Sequence, residues 1–181
     1  AKFFHQHLGP RLKYSCCWYE RGTETLAQAE EAMLRIYAER AQLNALPAGA
    51  RVLDLGCGWG SLSLWLAERY PQLQIVGFSN SHGQRGFIET QARERGLSNL
   101  RIVTGNVATD EMPSDALQQG FDRVISIEMF EHMRNYQLLL KKVRGWMKDD
   151  AKLFVHIFAH PTLAYPYEVK DKSDWMTQHF F

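Results

Sequence analysis

Apolar positions along this chain change rhythm near Arg51. Before it, Leu26, Ala29, Met33, Ile36, Tyr37 and Leu43 recur at close to helical spacing. They predict one helix over 25–43, with Thr23 or Thr25 as its cap and Pro47-Ala48-Gly49 breaking the chain afterwards. Beyond Arg51, short apolar runs alternate with amphipathic stretches. Strands are predicted over 51–55, 73–78, 100–104, 121–127 and 152–158, and helices over 61–70, 84–95 and 135–146. Strands separated by helices of this length need crossover connections, and hence a parallel sheet. The run Val124-Ile125-Ser126-Ile127 suits a strand covered on both faces. The expected fold class is therefore α/β: a doubly wound, mostly parallel, Rossmann-like sheet. No strand is visible after Phe158, and both ends read like the middle of something longer, so a fragment is expected.

Composition adds mainly exclusions. The 181 residues suffice for one sizeable core, with 45% hydrophobic and 23% charged residues. A net charge of +1 with scattered basic residues gives no electrostatic basis for binding nucleic acid. No apolar run is long enough to cross a bilayer, and the start lacks the pattern of a signal peptide. Three cysteines, Cys16, Cys17 and Cys57, cannot all pair and fit a reducing, cytoplasmic setting. Neither CxxC nor HExxH is present, so no metal is expected. Nothing in the pattern specifies an oligomeric state.

The candidate chemistry begins at Val52-Leu53-Asp54-Leu55-Gly56-Cys57-Gly58-Trp59-Gly60. In open α/β sheets the ligand sits beyond the carboxyl ends of the strands, and this loop lies there. Its glycines allow a tight turn and close approach, and the helix from Ser61 directs free N–H groups at the ligand. A dinucleotide site wants G-x-G-x-x-G and an acid about twenty residues on. Here the third glycine is one residue early, and the second strand ends in Ser79-Asn80 without an acid. Asp54, just before the glycines, suits the charged amino group of a methyl donor's methionine moiety, directly or through water. A tight strand-to-helix turn without ligand is the plain alternative.

Four segments resemble coclaurine N-methyltransferase and its relatives within the cyclopropane-fatty-acyl-phospholipid synthase group. They are Tyr14-Ser15-Cys16-Cys17-Trp18-Tyr19, Leu53 to Ser61, Ser126-Ile127-Glu128-Met129-Phe130-Glu131-His132-Met133, and Phe154-Val155-His156-Ile157-Phe158-Ala159-His160. The resemblance implies a class I methyltransferase using S-adenosyl-L-methionine (SAM). It implies an N-terminal cap and helical segment over 1–46, a SAM-binding core over 47–160, and over 161–181 the start of a substrate-binding region, cut short before the last strands of that fold. It places Tyr14 and Ser15 at the methionine carboxylate, Gly56, Gly58 and Ile127 along the cofactor, Asn80 and Gln84 at the ribose, and Asn106 and Val107 at the adenine. Read alone, Asn80 is equally a cap or turn residue, Gln84 a solvent-facing first turn, Asn106 a turn former and Tyr14 a core aromatic.

Glu128, Glu131 and His132 leave the fourth strand on the ligand side. If a helical turn starts there, Glu128 and His132 share a face, and a carboxylate beside an imidazole orients it. A capping acid and a surface histidine are the alternative. Methyl transfer from a sulfonium gains roughly 7–11 kcal/mol from orientation alone. An alkylamine must also lose a proton, which at pH 7 costs roughly 4–5 kcal/mol. Glu128 and His132 are the expected base, with Glu131 as support or an alternative base, and the expected acceptor is a small aromatic or alkaloid-like amine. The rival within the group is cyclopropanation of a lipid acceptor, whose bound bicarbonate the relatives hold with residues resembling Cys16, Glu131 and His156. Phe158 is expected to crowd that anion and to wall an aromatic amine instead. Without the resemblance, His156 is equally a strand histidine and Cys16 plain core. Trp18, Tyr19, Tyr165, Tyr167 and Trp175 are candidate pocket aromatics. A non-catalytic SAM-binding module is the third reading.

Overall fold

The computed structural model describes residues 6–162, 168–174 and 178. Its centre is one sheet of β1 (Arg51–Leu55), β2 (Gln74–Ser79), β3 (Leu100–Thr104), β4 (Phe121–Ile127) and β5 (Met147–His156). The order is β3-β2-β1-β4-β5, and every neighbouring pair is parallel. On one face pack α1 (Leu26–Arg40), α2 (Ser61–Arg69) and α3 (His82–Glu94); on the other lie the short α4 (Ser114–Leu117) and α5 (Tyr136–Trp146). The period-two alternation of β1 explains both layers: Val52 joins the α1–α2 core, while Leu53 and Leu55 join the α5 core. Asp54 shares the Val52 face, which sets a carboxylate beneath α2. The expected doubly wound α/β sheet is what the chain forms.

The differences from expectation have local causes. Thr25 caps α1 through a reciprocal box with Gln28, but the helix stops at Arg40 instead of running to Leu43. Gln42 is left-handed (φ +57°) and starts a separate 3-10 turn, Leu43–Ala45. Ser81, not Asn80, caps α3 and accepts from the Gln84 backbone. β5 begins at Met147, before the expected Lys152, because the polar run Lys148-Asp149-Asp150 spans an irregularity in its pairing with β4. There Lys148 Nζ reaches both oxygens of Asp122 at 2.8 Å. β5 ends at His156 and not Phe158, since the Glu128 N–H caps the ladder on the His156 carbonyl (2.8 Å).

The segment before α1 is held by a buried carboxylate. Glu30, fully buried on α1, accepts from the backbone N–H groups of Arg11 and Lys13, each at 3.1 Å. Trp18 N–H donates to the Ala29 carbonyl (3.1 Å), so residues 11–18 are pinned to α1 at both ends, while Cys16 N–H reaches Glu128 at the sheet's carboxyl edge. Glu30→Ala leaves two amides without their acceptor, and an unmade buried bond costs about 1–3 kcal/mol. Urea unfolding should therefore register a loss of about 2–6 kcal/mol.

Candidate active site

Strand order reverses between β1 and β4, and the loops after these two strands open a crevice at their carboxyl ends. The first, 56–60, is tied down by the N–H groups of Gly56 and Cys57 on the Phe78 carbonyl (2.9 and 3.0 Å). Gly60 ends it at φ +82° as the residue before α2; a Cβ there would lie 2.6 Å from Ile88. The second begins at Glu128, a non-glycine residue at φ +50°. A left-handed carboxylate at a strand end is sparsely populated and is held only by surrounding structure.

Two cavities meet at this point. The larger, about 380 Å³, is lined by Gly56, Gly58, Asn80, Gln84, Asn106 and Val107, together with Tyr14, Glu128 and His132. The smaller, about 40 Å³, includes Lys13, Ser15, Tyr37, Asp54 and Ile127, and it shares Tyr14, Gly56 and Glu128 with the larger. All ten residues expected around the cofactor thus line one or other of these two adjoining cavities, the larger of which is inside the size range of small-ligand pockets. Ser79 Oγ donates to Gln84 Oε1 (2.6 Å), turning the amide of Gln84 toward the crevice. Asn106 lines the cavity and also forms its turn, accepting from Ala108 N–H at 2.9 Å. Asp54 is buried and accepts from Ser63 Oγ (2.6 Å); burial outweighs that bond and pushes its pKa up to about 6.

The acid–base residues do not group as expected. Because Glu128 is left-handed and the following turn, Phe130–His132, is 3-10, Glu128 and His132 are not one α-helical turn apart. They line the same cavity by different routes. The imidazole beside Glu128 is His156, with Nδ1 3.9 Å from Oε1. Cys16 joins them: its N–H donates to Glu128 Oε1 (3.3 Å), and its Sγ lies 3.8 Å from His156 Nε2. Burial raises the Cys16 thiol above its ordinary value, so it stays protonated. Glu131 turns away, accepting from the Phe158 N–H (3.2 Å), and its other oxygen is buried without a hydrogen bond. Phe158 itself is 64% exposed, so the expected aromatic wall does not form among the described residues. Trp18 and Tyr19 are about half exposed near the crevice's N-terminal segment, whereas Tyr165, Tyr167 and Trp175 lie outside the described residues.

Two residues that the sequence did not single out for chemistry complete the cluster. Tyr37, counted there only in the apolar face of α1, places its hydroxyl 3.1 Å from His156 Nδ1. Lys13, beside the Tyr14-Ser15 pair, is buried against that hydroxyl. A lysine between Leu12 and Tyr14 carries no sequence signal for burial.

A profile of the family described as mycolic acid cyclopropane synthetase matches residues 1–181. The chain belongs to that family. Within the mycolic acid cyclopropane synthetase family it is 43% identical over 173 residues to the (S)-coclaurine N-methyltransferase of Thalictrum flavum subsp. glaucum, covering 96% of this chain and 46% of that protein. It is 32% identical over 155 residues to the cyclopropane-fatty-acyl-phospholipid synthase of Escherichia coli K12, covering 84% of this chain and 37% of that one. A solved structure of coclaurine N-methyltransferase bound to N-methylheliamine and SAH superposes with a TM-score of 0.86 at 41% identity, covering 98% of this chain and 50% of that one. The chain spans about half the length of the coclaurine relatives it matches. Among the described residues, no helix is long and apolar enough to cross a membrane.

Proposed function

We propose that this chain carries the SAM-binding core and the proton-accepting group of an N-methyltransferase acting on a small, alkaloid-like amine. The observation that carries this reading is Glu128, whose carboxylate borders both cavities where the glycine loop meets the turn after β4. SAM, when bound, supplies a methyl group on a sulfonium. Gly56, Gly58, Asn80, Gln84, Asn106 and Val107 would hold it in the larger cavity, with Asp54, Ser15 and Tyr14 available to its amino-acid part. Glu128, with His132 on the same wall, binds the acceptor ammonium and takes its proton. The freed nitrogen then forms the new N–C bond as the C–S bond breaks. Catalysis of this kind rests on holding nucleophile and methyl in line. The 43% identity to a coclaurine N-methyltransferase supports the choice of an amine.

One observation favours cyclopropanation as a second reading: Cys16 and His156 do meet, as the resemblance to lipid-modifying relatives requires. Glu131, the third residue of that set, has one oxygen committed to Phe158 N–H. Offering a secondary amine and unsaturated phospholipid vesicles to the same preparation, with and without bicarbonate, separates the readings. Methyl incorporation into the amine, unaffected by bicarbonate, supports N-methylation; bicarbonate-dependent incorporation into the lipid overturns it.

Asp54 gives this reading a pH signature. The donor's ammonium group pairs with the ionised carboxylate, and in the free protein that carboxyl holds its proton up to about pH 6. Donor affinity should therefore rise with pH and level off above 6, being about tenfold weaker at pH 5 than at pH 8. Calorimetry should detect proton release on binding near pH 5, and Asp54→Asn should flatten the dependence. Stability has the opposite sign. A pKa raised by folding means that the folded state binds the extra proton, so Asp54's contribution falls as pH rises from about 4 to about 6.

A further inference from the structure

Lys13 is 4% exposed, and no step above uses it. A buried ammonium must spend its protons on acceptors. Those of Lys13 go to Ser15 Oγ and to Tyr37 Oη, the latter at 3.1 Å. An ammonium is a donor only, so the Tyr37 oxygen accepts from it. The phenol's own proton then points to His156 Nδ1, 3.1 Å away, a stronger acceptor than the Cys16 thiol and the Ser15 hydroxyl that also face the phenol. Burial drives the Tyr37 pKa upward, so the phenol keeps that proton to give. An imidazole that accepts at Nδ1 while neutral carries its proton on Nε2, and Nε2 faces Cys16 Sγ at 3.8 Å.

We infer that Lys13, acting through the Tyr37 hydroxyl, fixes His156 as the Nε2–H tautomer, making the imidazole a hydrogen-bond donor toward Cys16 and leaving proton acceptance to Glu128. The last clause rests on the amine-methylating reading; the tautomer does not. Lys13 and Tyr37 are then positioning residues, and His156 is not a base.

The charges around the ring pull in opposite directions. Glu128 Oε1, 3.9 Å from Nδ1, favours a proton there. It lies beyond hydrogen-bond distance, whereas Tyr37 Oη lies within it. Burial lowers the pKa of Lys13, and the carboxylates of Glu128 and Glu30 offset part of that loss and favour the ammonium. The same assignment bears on Cys16, Glu128 and His156 as metal ligands. Their ligand atoms lie within 4.8 Å of one another, but coordination through Nε2 would need the proton on Nδ1, and coordination through Nδ1 would need the lone pair that accepts from Tyr37. The hydrogen-bonded chain opposes it.

Long-range proton–nitrogen correlation on the full chain labelled with ¹⁵N-histidine reads the tautomer directly. The His156 signals are identified by their loss in His156→Gln. At neutral pH the wild-type ring should be protonated at Nε2 and bare at Nδ1. Lys13→Met should lower the ratio of that form to the others about tenfold, the scale of one hydrogen bond. Tyr37→Phe, which keeps the ring that fills the core, should do the same if Lys13→Met fails to fold. A wild-type ring protonated at Nδ1, or a ratio unchanged in Tyr37→Phe, would overturn the assignment. The readout needs neither acceptor nor turnover, so its failure and a failure of amine methylation are distinguishable.

Discussion

Glu128→Gln should lower methyl transfer to an amine by about 10²–10⁴-fold while leaving donor affinity within a few-fold of wild type. The substitution keeps the shape of the side chain and an oxygen to accept the Cys16 N–H. What it removes is the negative charge and the capacity to take a proton. An ammonium acceptor at pH 7 has no lone pair until something accepts that proton, a barrier of roughly 4–5 kcal/mol that orientation does not lower. The loss should shrink for an acceptor of low basicity, such as an aniline, which arrives already deprotonated. Because Glu128 sits at φ +50°, the circular dichroism and unfolding midpoint of the variant need comparison with wild type. Turnover retained in a folded Glu128→Gln would remove it from the reaction.

Gly58→Ala should weaken donor binding by about 10–100-fold, equivalent to about 1.4–2.8 kcal/mol, with a smaller effect on unfolding. Gly58 is at φ +52°, where an alanine costs roughly 1–2 kcal/mol, and its Cβ would stand 2.7 Å from Tyr14 Oη. Tyr14 is the far end of a side chain and can shift, so the fold survives. Tyr14 and Gly58 both line the larger cavity, however, and the displaced ring intrudes on the ligand's space. Adding Tyr14→Phe removes the atom of closest approach and should recover part of the affinity. Calorimetric titration with SAM checks both variants. An affinity unchanged by Gly58→Ala would contradict the placement of the cofactor along this loop.

Legibility in the sequence followed the range of the interactions. The five strands, the long helices and the glycine loop are written in local periodicity and in residues with special backbone freedom, and each formed close to where the pattern placed it. β5 was misplaced at its start because Lys148-Asp149-Asp150 hides a strand whose irregular pairing only its neighbour reveals. Glu128 was legible as an acid at a strand end, but its backbone angle was not, and that angle decides which imidazole it meets. Its pairing with His156 and Cys16 joins β4, β5 and the N-terminal segment, a contact that no spacing along the chain encodes. Tyr37 reads as core, and by burial it is; only the structure shows where its hydroxyl points.

Passage of the whole methyl group to a nitrogen is tested most directly by mass spectrometry of products formed from SAM bearing a trideuterated methyl group, with a secondary amine and unsaturated phospholipid both offered. Transfer to nitrogen breaks the methyl's bond to sulfur and none of its C–D bonds, so the amine product should retain all three deuterons, and its yield should fall by the same 10²–10⁴-fold in Glu128→Gln. A lipid product carrying two deuterons, the third lost as the ring closes, would contradict transfer to nitrogen.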